Sequence, residues 1–463
     1  MFTLQNPLPQ GRRKRRLHMT PARTICLSFA VIIAIGTLLL TLPVSSRSGS
    51  FTNPLDCLFT ATSATCVTGL VIFDTYQHWN RFGQLVILAM IQLGGLGFVT
   101  FATFFNLAVH RKLGFRSLLN AQESVNSTHG MDIYHIVRMV VIASFSIEAA
   151  GALLLSTVFI PQFGLGEGIY TAVFLAVSSF CNAGFDVLGR ETPFVSLTEY
   201  NGSPMVLLTI SALIIIGGLG FTVWGDLLQY RRTRTLMFHT RVVLAVTLSL
   251  LAGGTAMFLL CEWNNPATMG PLPVPQKLLA GFFQSVTTRT AGYNSLDFGA
   301  MHEITKFFST ILMFIGAAPG STGGGIKVTT LVVMVMTVAS VCRGREETVI
   351  RRRVISRNVV YRSLTVMVLG GAAVALSTAL IFFTMPSSET VTGINALFES
   401  TSAFATVGLS VGVTSVLNIP AKLVMILIMF LGRVGPVSFM LSLALNHESA
   451  KNQVYPEGKL LVG

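Results

Sequence analysis

Charge is what this chain has least of: 11% of its 463 residues are Asp, Glu, Lys or Arg, and only 19 are acidic. A soluble globular domain carries about 25%, so a water-soluble enzyme is excluded. The six cysteines form no Cys-x-x-Cys and stand at no metal-ligand spacing from histidine. That argues against a zinc site and against a disulfide-stapled secreted domain. There is no His-Glu-x-x-His, and no Gly-x-Gly-x-x-Gly unit to hold a nucleotide. What fills the chain instead is apolar: 52% hydrophobic residues, 42 Gly, 33 Phe and a mean hydropathy of +0.68. A disordered chain is excluded by the same composition. The apolar residues come in blocks long enough to cross the roughly 30 Å hydrocarbon layer as helices. The expected class is an all-α polytopic membrane protein.

The net charge of +13 is unevenly placed. Most of the 32 Lys and Arg lie in the N-terminal tail, around 111–138, at 231–241, at 343–362 and after 450. Arg47, Arg81, Arg190, Lys277, Lys306 and Lys422 fall between the alternate apolar blocks. The positive-inside rule then puts both termini in the cytoplasm of a bacterial-type inner membrane. Topology accounts for the basic balance, and no nucleic-acid partner is expected. The N-terminal basic stretch leads through Thr20-Pro21, a helix start, into an apolar run without a small-residue cleavage site. It does not read as a cleavable signal.

Long apolar segments run over 22–43, 84–109, 135–160, 204–228, 241–261, 305–341, 359–384 and 421–445. Shorter ones lie between them, at 51–64, 168–181, 275–287 and 389–403, each running into a polar, Gly-containing turn. Too short to span, these suit re-entrant helices, which a bilayer admits only where backbone lines a protein-enclosed cavity. Setting the four turns on Gly69, Gly184, Gly292 and Gly408 puts a Phe ten residues before each Gly (Phe59, Phe174, Phe282, Phe398). A second register follows in each second span: Gly94/Gly97, Gly217/Gly220, Gly316/Pro319 and Gly432/Gly435. Two features in one order in four copies indicate internal repetition. The expected organisation is a basic tail over 1–20, span–pore-helix–span repeats over 21–110, 111–230, 231–345 and 346–447, and a tail over 448–463. Eight spans and four re-entrant loops would surround a central pore.

An ion crossing a membrane exchanges its hydration shell for ligands it can leave again, and rings of backbone carbonyls do this in potassium channels. Four short loops ending at Gly supply such a ring in one chain, since Gly accepts positive φ and close backbone approach. The carbonyls expected to line it belong to Cys66, Val67, Thr68 and Gly69; Cys181, Asn182, Ala183 and Gly184; Arg289, Thr290, Ala291 and Gly292; and Ala405, Thr406, Val407 and Gly408. Half-helices ending toward the cavity would add negative dipole ends there, favouring a cation. A secondary transporter with inverted repeats fits less well, because all four copies share one orientation.

With these residues in view, the chain resembles the ion-translocating subunit of the Trk/Ktr/HKT potassium transporter superfamily, most closely the eight-span Ktr type. The resemblance runs from Thr20-Pro21 to the terminal Val462-Gly463. Its most specific pieces are Val67-Thr68-Gly69-Leu70, Asn182-Ala183-Gly184-Phe185, Arg289-Thr290-Ala291-Gly292-Tyr293 and Thr406-Val407-Gly408-Leu409. It implies K+ as the transported ion with no cofactor in this chain, and Gly69, rather than Ser, argues for potassium over sodium. It also implies a homodimer and a cytosolic nucleotide-binding regulatory ring on the basic inner loops. Attraction to anionic membrane lipids would equally explain those loops. Sodium-dependent and less selective Na/K channel-like or symport pathways of the same architecture stay open.

The third repeat departs from the others at 316–325. Gly316, Pro319, Gly320, Ser321, Thr322, Gly323, Gly324 and Gly325 cannot continue a helix. By resemblance this is an intramembrane gating loop, with Arg433 as its cationic partner. Lys327 either snorkels to the inner surface or joins the gate. Asp186 either concentrates cations at the outer mouth or is an ordinary loop acid. Arg289 is expected to brace the ring from behind. Glu148, with no partner evident in sequence, reads as a packing residue rather than a coupling site.

Overall fold

The computed structural model describes residues 21–97, 133–385 and 390–443. The expected N- and C-terminal tails and the basic stretch 111–132 lie outside the described residues. The chain runs through helices α1 (Pro21–Thr41), α2 (Pro54–Thr65), α3 (Thr75–His78), α4 (Arg81–Leu96), α5 (Ile133–Phe163), α6 (Leu165–Phe180), α7 (Pro204–Leu219), α8 (Phe221–Thr233), α9 (Phe238–Glu262) and α10 (Val274–Thr287). It continues through α11 (Glu303–Phe314), α12 (Val328–Cys342), the strands β1 (Val349–Ile350) and β2 (Arg353–Val354), then α13 (Arg357–Thr384), α14 (Gly393–Ala405), α15 (Ile419–Val434) and α16 (Pro436–Leu443). Among the described residues, α1, α5, α9 and α13 are each long and apolar enough to cross a membrane. The pair α7 and α8 passes the same test jointly but is bent by 97°.

The burial pattern inverts that of a soluble protein. The long helices turn large apolar side chains outward, among them Leu38 (70% exposed), Leu260 (84%) and Phe383 (89%). The short helices α2, α6, α10 and α14 lie inside, with Phe59, Phe174, Phe283 and Phe398 fully buried. Their starts are written locally. Asn53 caps α2 by accepting from the Leu55 amide, with Pro54 in the first turn, and Thr392 caps α14 by accepting from Asn395.

Packing runs in a cycle. The helix following each short helix lies against the next short helix: α4 on α6, α7 on α10, α11 on α14, and α15 back on α2. Ion pairs stand at two of these junctions. Arg81 at the start of α4 meets Glu167 in the first turn of α6, and Lys422 of α15 meets Asp56 of α2 at 2.7 Å. The second pair joins the two ends of the chain and closes the cycle.

Glycine sets how closely these helices approach. A Cβ on Gly94 would lie 1.9 Å from the Thr65 carbonyl oxygen, on Gly217 2.1 Å from that of Phe180, and on Gly432 1.8 Å from that of Phe404. Each second helix therefore touches the end of its preceding short helix backbone to backbone. Gly316 is different, facing the Gly324 carbonyl of its own loop.

Two expectations need correction. The apolar runs 204–228 and 421–445 are not continuous spans: Gly220 (φ 92°) and Gly435 (φ 90°) break them, and α4 likewise ends at Gly97 (φ 80°). Backbone in that conformation cannot carry an α-helix onward, so interruption is not special to 316–325. The basic segment 343–362 also contains a small antiparallel hairpin, Val349 opposite Val354, in an otherwise helical chain.

The glycine contacts carry a prediction. Gly432→Ala should lower the thermal midpoint of the purified protein, because overpacking against backbone costs about 1–3 kcal/mol. Gly371→Ala, at a position with nothing within 4 Å, should leave it unchanged or raise it. Equal midpoints for the two variants would mean that α15 can shift away from α14 at no cost.

Candidate functional site

Each short helix ends in the same backbone sequence of events. A non-glycine residue takes left-handed φ (Val67 57°, Asn182 59°, Thr290 66°, Thr406 52°), and two residues later a glycine does so again (Gly69 93°, Gly184 71°, Gly292 83°, Gly408 91°). The four loops meet. A Cβ on Gly69 would lie 2.4 Å from the Ala183 carbonyl oxygen, on Gly184 2.7 Å from that of Ala291, on Gly292 2.5 Å from that of Val407, and on Gly408 2.2 Å from that of Thr68. The contacts close a ring, and no side chain fits at any of its four glycines.

The loop amides are tied backward. Thr68 donates to the Ser63 carbonyl at 2.8 Å, Ala183 to Ser178 at 2.7 Å, Ala291 to Thr287 at 3.1 Å and Val407 to Ser402 at 2.8 Å. The Gly69 and Gly408 amides donate to the hydroxyls of Ser63 and Ser402, each at 3.1 Å. Ser178 and Thr287 instead donate their hydroxyls to the carbonyls of Phe185 and Tyr293, each at 2.7 Å. No hydrogen bond to a carbonyl oxygen of 66–69, 181–184, 289–292 or 405–408 occurs among the described residues. Buried carbonyls without donors are costly, and a cation is a ligand that relieves them. Of the expected residues, the four glycines and the residue before each (Thr68, Ala183, Ala291, Val407) are the ones whose backbones meet in the ring.

On one side the ring opens into a cavity of about 230 Å³, lined by the four glycines with Asp74, Asp186 and Asp297. Asp74 is engaged structurally, accepting from the amides of Tyr76, Gln77 and Phe194. Among the described residues Asp186 accepts only from the Leu188 amide, at 3.0 Å. Burial pushes its carboxyl up to about 7, with the charge of Asp74 acting in the same direction against the Leu188 bond. Asp186 therefore carries its charge above that pH and loses it below. Farther out, hydrogen bonding from Arg81 holds the Glu167 carboxyl below its ordinary value.

On the other side of the ring lies 316–325. Its neck is closed by Gly316 donating to Ile326 (2.8 Å) and Val328 donating to Ala317 (3.2 Å). It is tied to the α7/α8 break by Ala318 to Gly218 (3.0 Å), Thr322 to Gly217 (3.3 Å) and Phe221 to Gly320 (2.7 Å). It also touches three of the four left-handed residues. Thr322 Oγ1 lies 3.4 Å from the Asn182 amide, the Gly324 amide donates to Thr406 Oγ1 at 3.1 Å, and a Cβ on Gly323 would meet Thr290 Oγ1. Pro319 and Ser321 have other contacts, Ser321 donating to the Ala318 carbonyl at 2.6 Å and the Pro319 carbonyl facing Gly220.

Both nearby cations engage this loop. Arg433 donates to the carbonyls of Thr322, Gly94 and Gly95, bridging the loop to the end of α4. Lys327 does not snorkel: its Nζ donates to the Gly323 carbonyl at 2.6 Å. Arg289 turns outward to Thr247 of α9, at 3.4 Å. Glu148 has a partner after all, Gln92 of α4, at 3.0 and 3.2 Å.

Sequence reading missed the serines that hold the loops, although their signal is present: Ser63, Ser178 and Ser402 each stand six residues before a ring glycine. Gly408-Leu409-Ser410-Val411-Gly412 has the spacing of a hydrolase nucleophile elbow. Ser410 is spent on Glu399, however, and the stretch follows a helix instead of joining a strand to one. If Arg433 fastens the loop, Arg433→Ala should speed hydrogen–deuterium exchange at the amides of Thr322 and Gly324 by tenfold or more while α13 stays protected. Unchanged exchange would mean that the backbone ties alone hold the loop.

Residues 7–455 match the family model of TrkH, a cation transport protein. The chain is 41% identical over 450 residues to the Ktr system potassium uptake protein B of Bacillus subtilis, covering 96% of this chain and 98% of that one. It is 38% identical to the potassium/sodium uptake protein NtpJ of Enterococcus hirae, covering 98% and 99%. In fold it is similar to the crystal structure of the potassium transporter TrkH from Vibrio parahaemolyticus, with a TM-score of 0.71 at 16% identity, covering 94% of this chain and 87% of that one. On the extent of these matches, the chain belongs to the TrkH family of cation transport proteins.

Proposed function

We propose that this chain takes up potassium across the cytoplasmic membrane through the glycine ring, acting as the membrane subunit of a Ktr-type system. One observation carries the reading: four loops close on one another with their amides tied back and their carbonyl oxygens left without donors. A dehydrating K+ is the ligand such oxygens lack. The short helices are pore helices in this account, and their carbonyl ends weight the inner side of the ring toward cations. The chain is then four span–pore-helix–span units over 21–110, 111–230, 231–345 and 346–447 around one pore. Asp186 and its neighbours raise the cation concentration at the outer mouth.

The loop 316–325 is the gate in this reading. It lies on the ring's inner side, and the charge of Arg433 opposes a cation beside it. Opening exchanges a few backbone hydrogen bonds within a protein-lined cavity, the one place where a bilayer tolerates irregular backbone. The relatives named as parts of a Ktr system support a regulatory partner, which we place as a nucleotide-binding ring on the basic hairpin and the 231–241 loop. A homodimer of this subunit completes the assembly. The name of the Enterococcus relative couples potassium with sodium, so sodium dependence or a less selective pathway is the second reading. Rubidium uptake into liposomes at varied sodium separates the two.

The ring is tested directly by Gly69→Ser. The added side chain has 2.4 Å to the next carbonyl oxygen and must displace it, so the rubidium-to-sodium flux ratio should fall at least fivefold in protein that purifies normally. An unchanged ratio there and at Gly292 and Gly408 would remove the ring from the transport path. The gate has its own test. Removing several residues from 316–325 should raise basal rubidium flux severalfold, and Arg433→Ala should act in the same direction without adding to it. A shortened loop that folds and transports as before would make 316–325 a packing element.

A further inference from the structure

We propose that Glu148 is a positioning residue for the second loop of the ring: it orients Gln92, Gln92 seats Cys181, and this chain sets how strictly the ring discriminates among monovalent cations. The inference rests on the ring being the selective element.

Glu148 lies in α5, 4% exposed, and forms no salt bridge among the described residues. Its two carboxylate oxygens accept from a single group, Gln92 Nε2 of α4, at 3.0 and 3.2 Å. With its amino group spent there, Gln92 turns its carbonyl oxygen to Cys181 Sγ, which donates to it at 3.5 Å. One turn farther along α4, a Cβ on Gly95 would lie 2.7 Å from the same sulfur. The thiol is therefore seated in a notch with an acceptor on one side and a missing side chain on the other.

The chemistry explains why an acid stands at 148. A glutamine amide has a donor end and an acceptor end, and packing alone does not choose between them. Both oxygens of Glu148 accept from the one Gln92 amino group, the pattern of an ionised carboxylate. Such a group offers acceptors only and so turns the amino group toward itself and the Gln92 oxygen toward the thiol. An amide at 148 would let the pair flip together and present a donor to Cys181. An acid buried in the membrane for packing alone is an expensive choice; as an orienting group it has a use.

The place acted on is the inner start of the second loop. Cys181 stands three residues before Gly184, in register with Cys66, Arg289 and Ala405. In the next loop around the ring, Arg289 at that position reaches Thr247 of α9 at 3.4 Å. Two adjacent loops are thus anchored by side chains at one register position. On the same turn of α4, the Gly94 and Gly95 carbonyls accept from Arg433. The turn that seats Cys181 is also the one to which the loop 316–325 is fastened.

The test measures rubidium-to-sodium flux ratio in liposomes, the rate of Cys181 alkylation by a small maleimide read by peptide mass spectrometry, and the thermal midpoint. Glu148→Leu should lower the flux ratio at least threefold and speed alkylation of Cys181. Gln92→Leu should do the same, and the two together should do no more than either, as members of one series. The exchanged pair Gln92→Glu with Glu148→Gln presents an acceptor to Cys181 again and should restore the ratio to within twofold. A lowered thermal midpoint with an unchanged ratio in Glu148→Leu and Gln92→Leu would make Glu148 a packing residue and overturn the proposal, as would failure of the exchanged pair to restore the ratio. Gly184→Ser, measured alongside, separates the two levels. If it lowers the ratio while Glu148→Leu does not, only the role of Glu148 fails; if it too leaves the ratio unchanged, the ring reading fails first.

Discussion

A bilayer interior offers no water to a bare backbone carbonyl, yet this chain gathers loops whose carbonyls accept no hydrogen bond among the described residues. Most other features follow from that constraint. The loops cannot lie against lipid, so the four short helices that deliver them lie inside the long ones, with Phe59, Phe174, Phe283 and Phe398 fully buried. The amides of the same loops must be satisfied without consuming the carbonyls, so they are turned back onto the ends of their own helices and onto Ser63 and Ser402. Alternation of left-handed and ordinary backbone makes both conditions possible within four residues. Glycine occupies the second left-handed position because the next loop's carbonyl stands where a Cβ would be.

Closing such a ring is a problem of distance. Each loop meets its neighbour only if the helix beside it comes close, and Gly94, Gly217 and Gly432 remove the side chains that would hold it away. The price is a set of second helices of which α4 ends at Gly97 and two others break at Gly220 and Gly435. The broken pieces pack around the cycle, and Lys422 with Asp56 joins its last part to its first. A break in the helix and closeness to the ring are the same design feature seen at two positions one turn apart.

What could be read from the sequence was whatever is local or repeated. The four aligned glycines, the bounds of the short helices to within a few residues and the Gly-rich stretch 316–325 all announce themselves along the chain. The break at Gly220 did not, because the apolar run continues across it, whereas the Gly435-Pro436 pair is a local break signal that the surrounding apolar residues mask. Lys327 looked like a surface-seeking side chain because sequence shows nearness to a helix start but not that Gly323 curls back over it. Glu148 looked unpartnered because Gln92 is 56 residues away, on another helix. Long-range polar pairs leave no trace in periodicity.

The four-part pattern is broken at one place, and the break has a physical logic. In three parts the first glycine of the second register packs on the end of a short helix. In the remaining part Gly316 packs on Gly324 of its own loop rather than on the end of the preceding short helix, and the chain beyond it folds beneath the ring. There its ties are to its surroundings: amides to carbonyls at Gly217, Gly218 and Gly320, a hydroxyl at Thr406 and the charge-assisted donors of Arg433 and Lys327. A helix in that position would satisfy its own backbone and could leave only as a rigid body. A loop satisfied by its surroundings exchanges partners one at a time, at about 0.5–1.5 kcal/mol net per hydrogen bond. The one departure from the fourfold pattern is thus the part of the chain beneath the ring whose backbone is satisfied by its surroundings and not by its own helix.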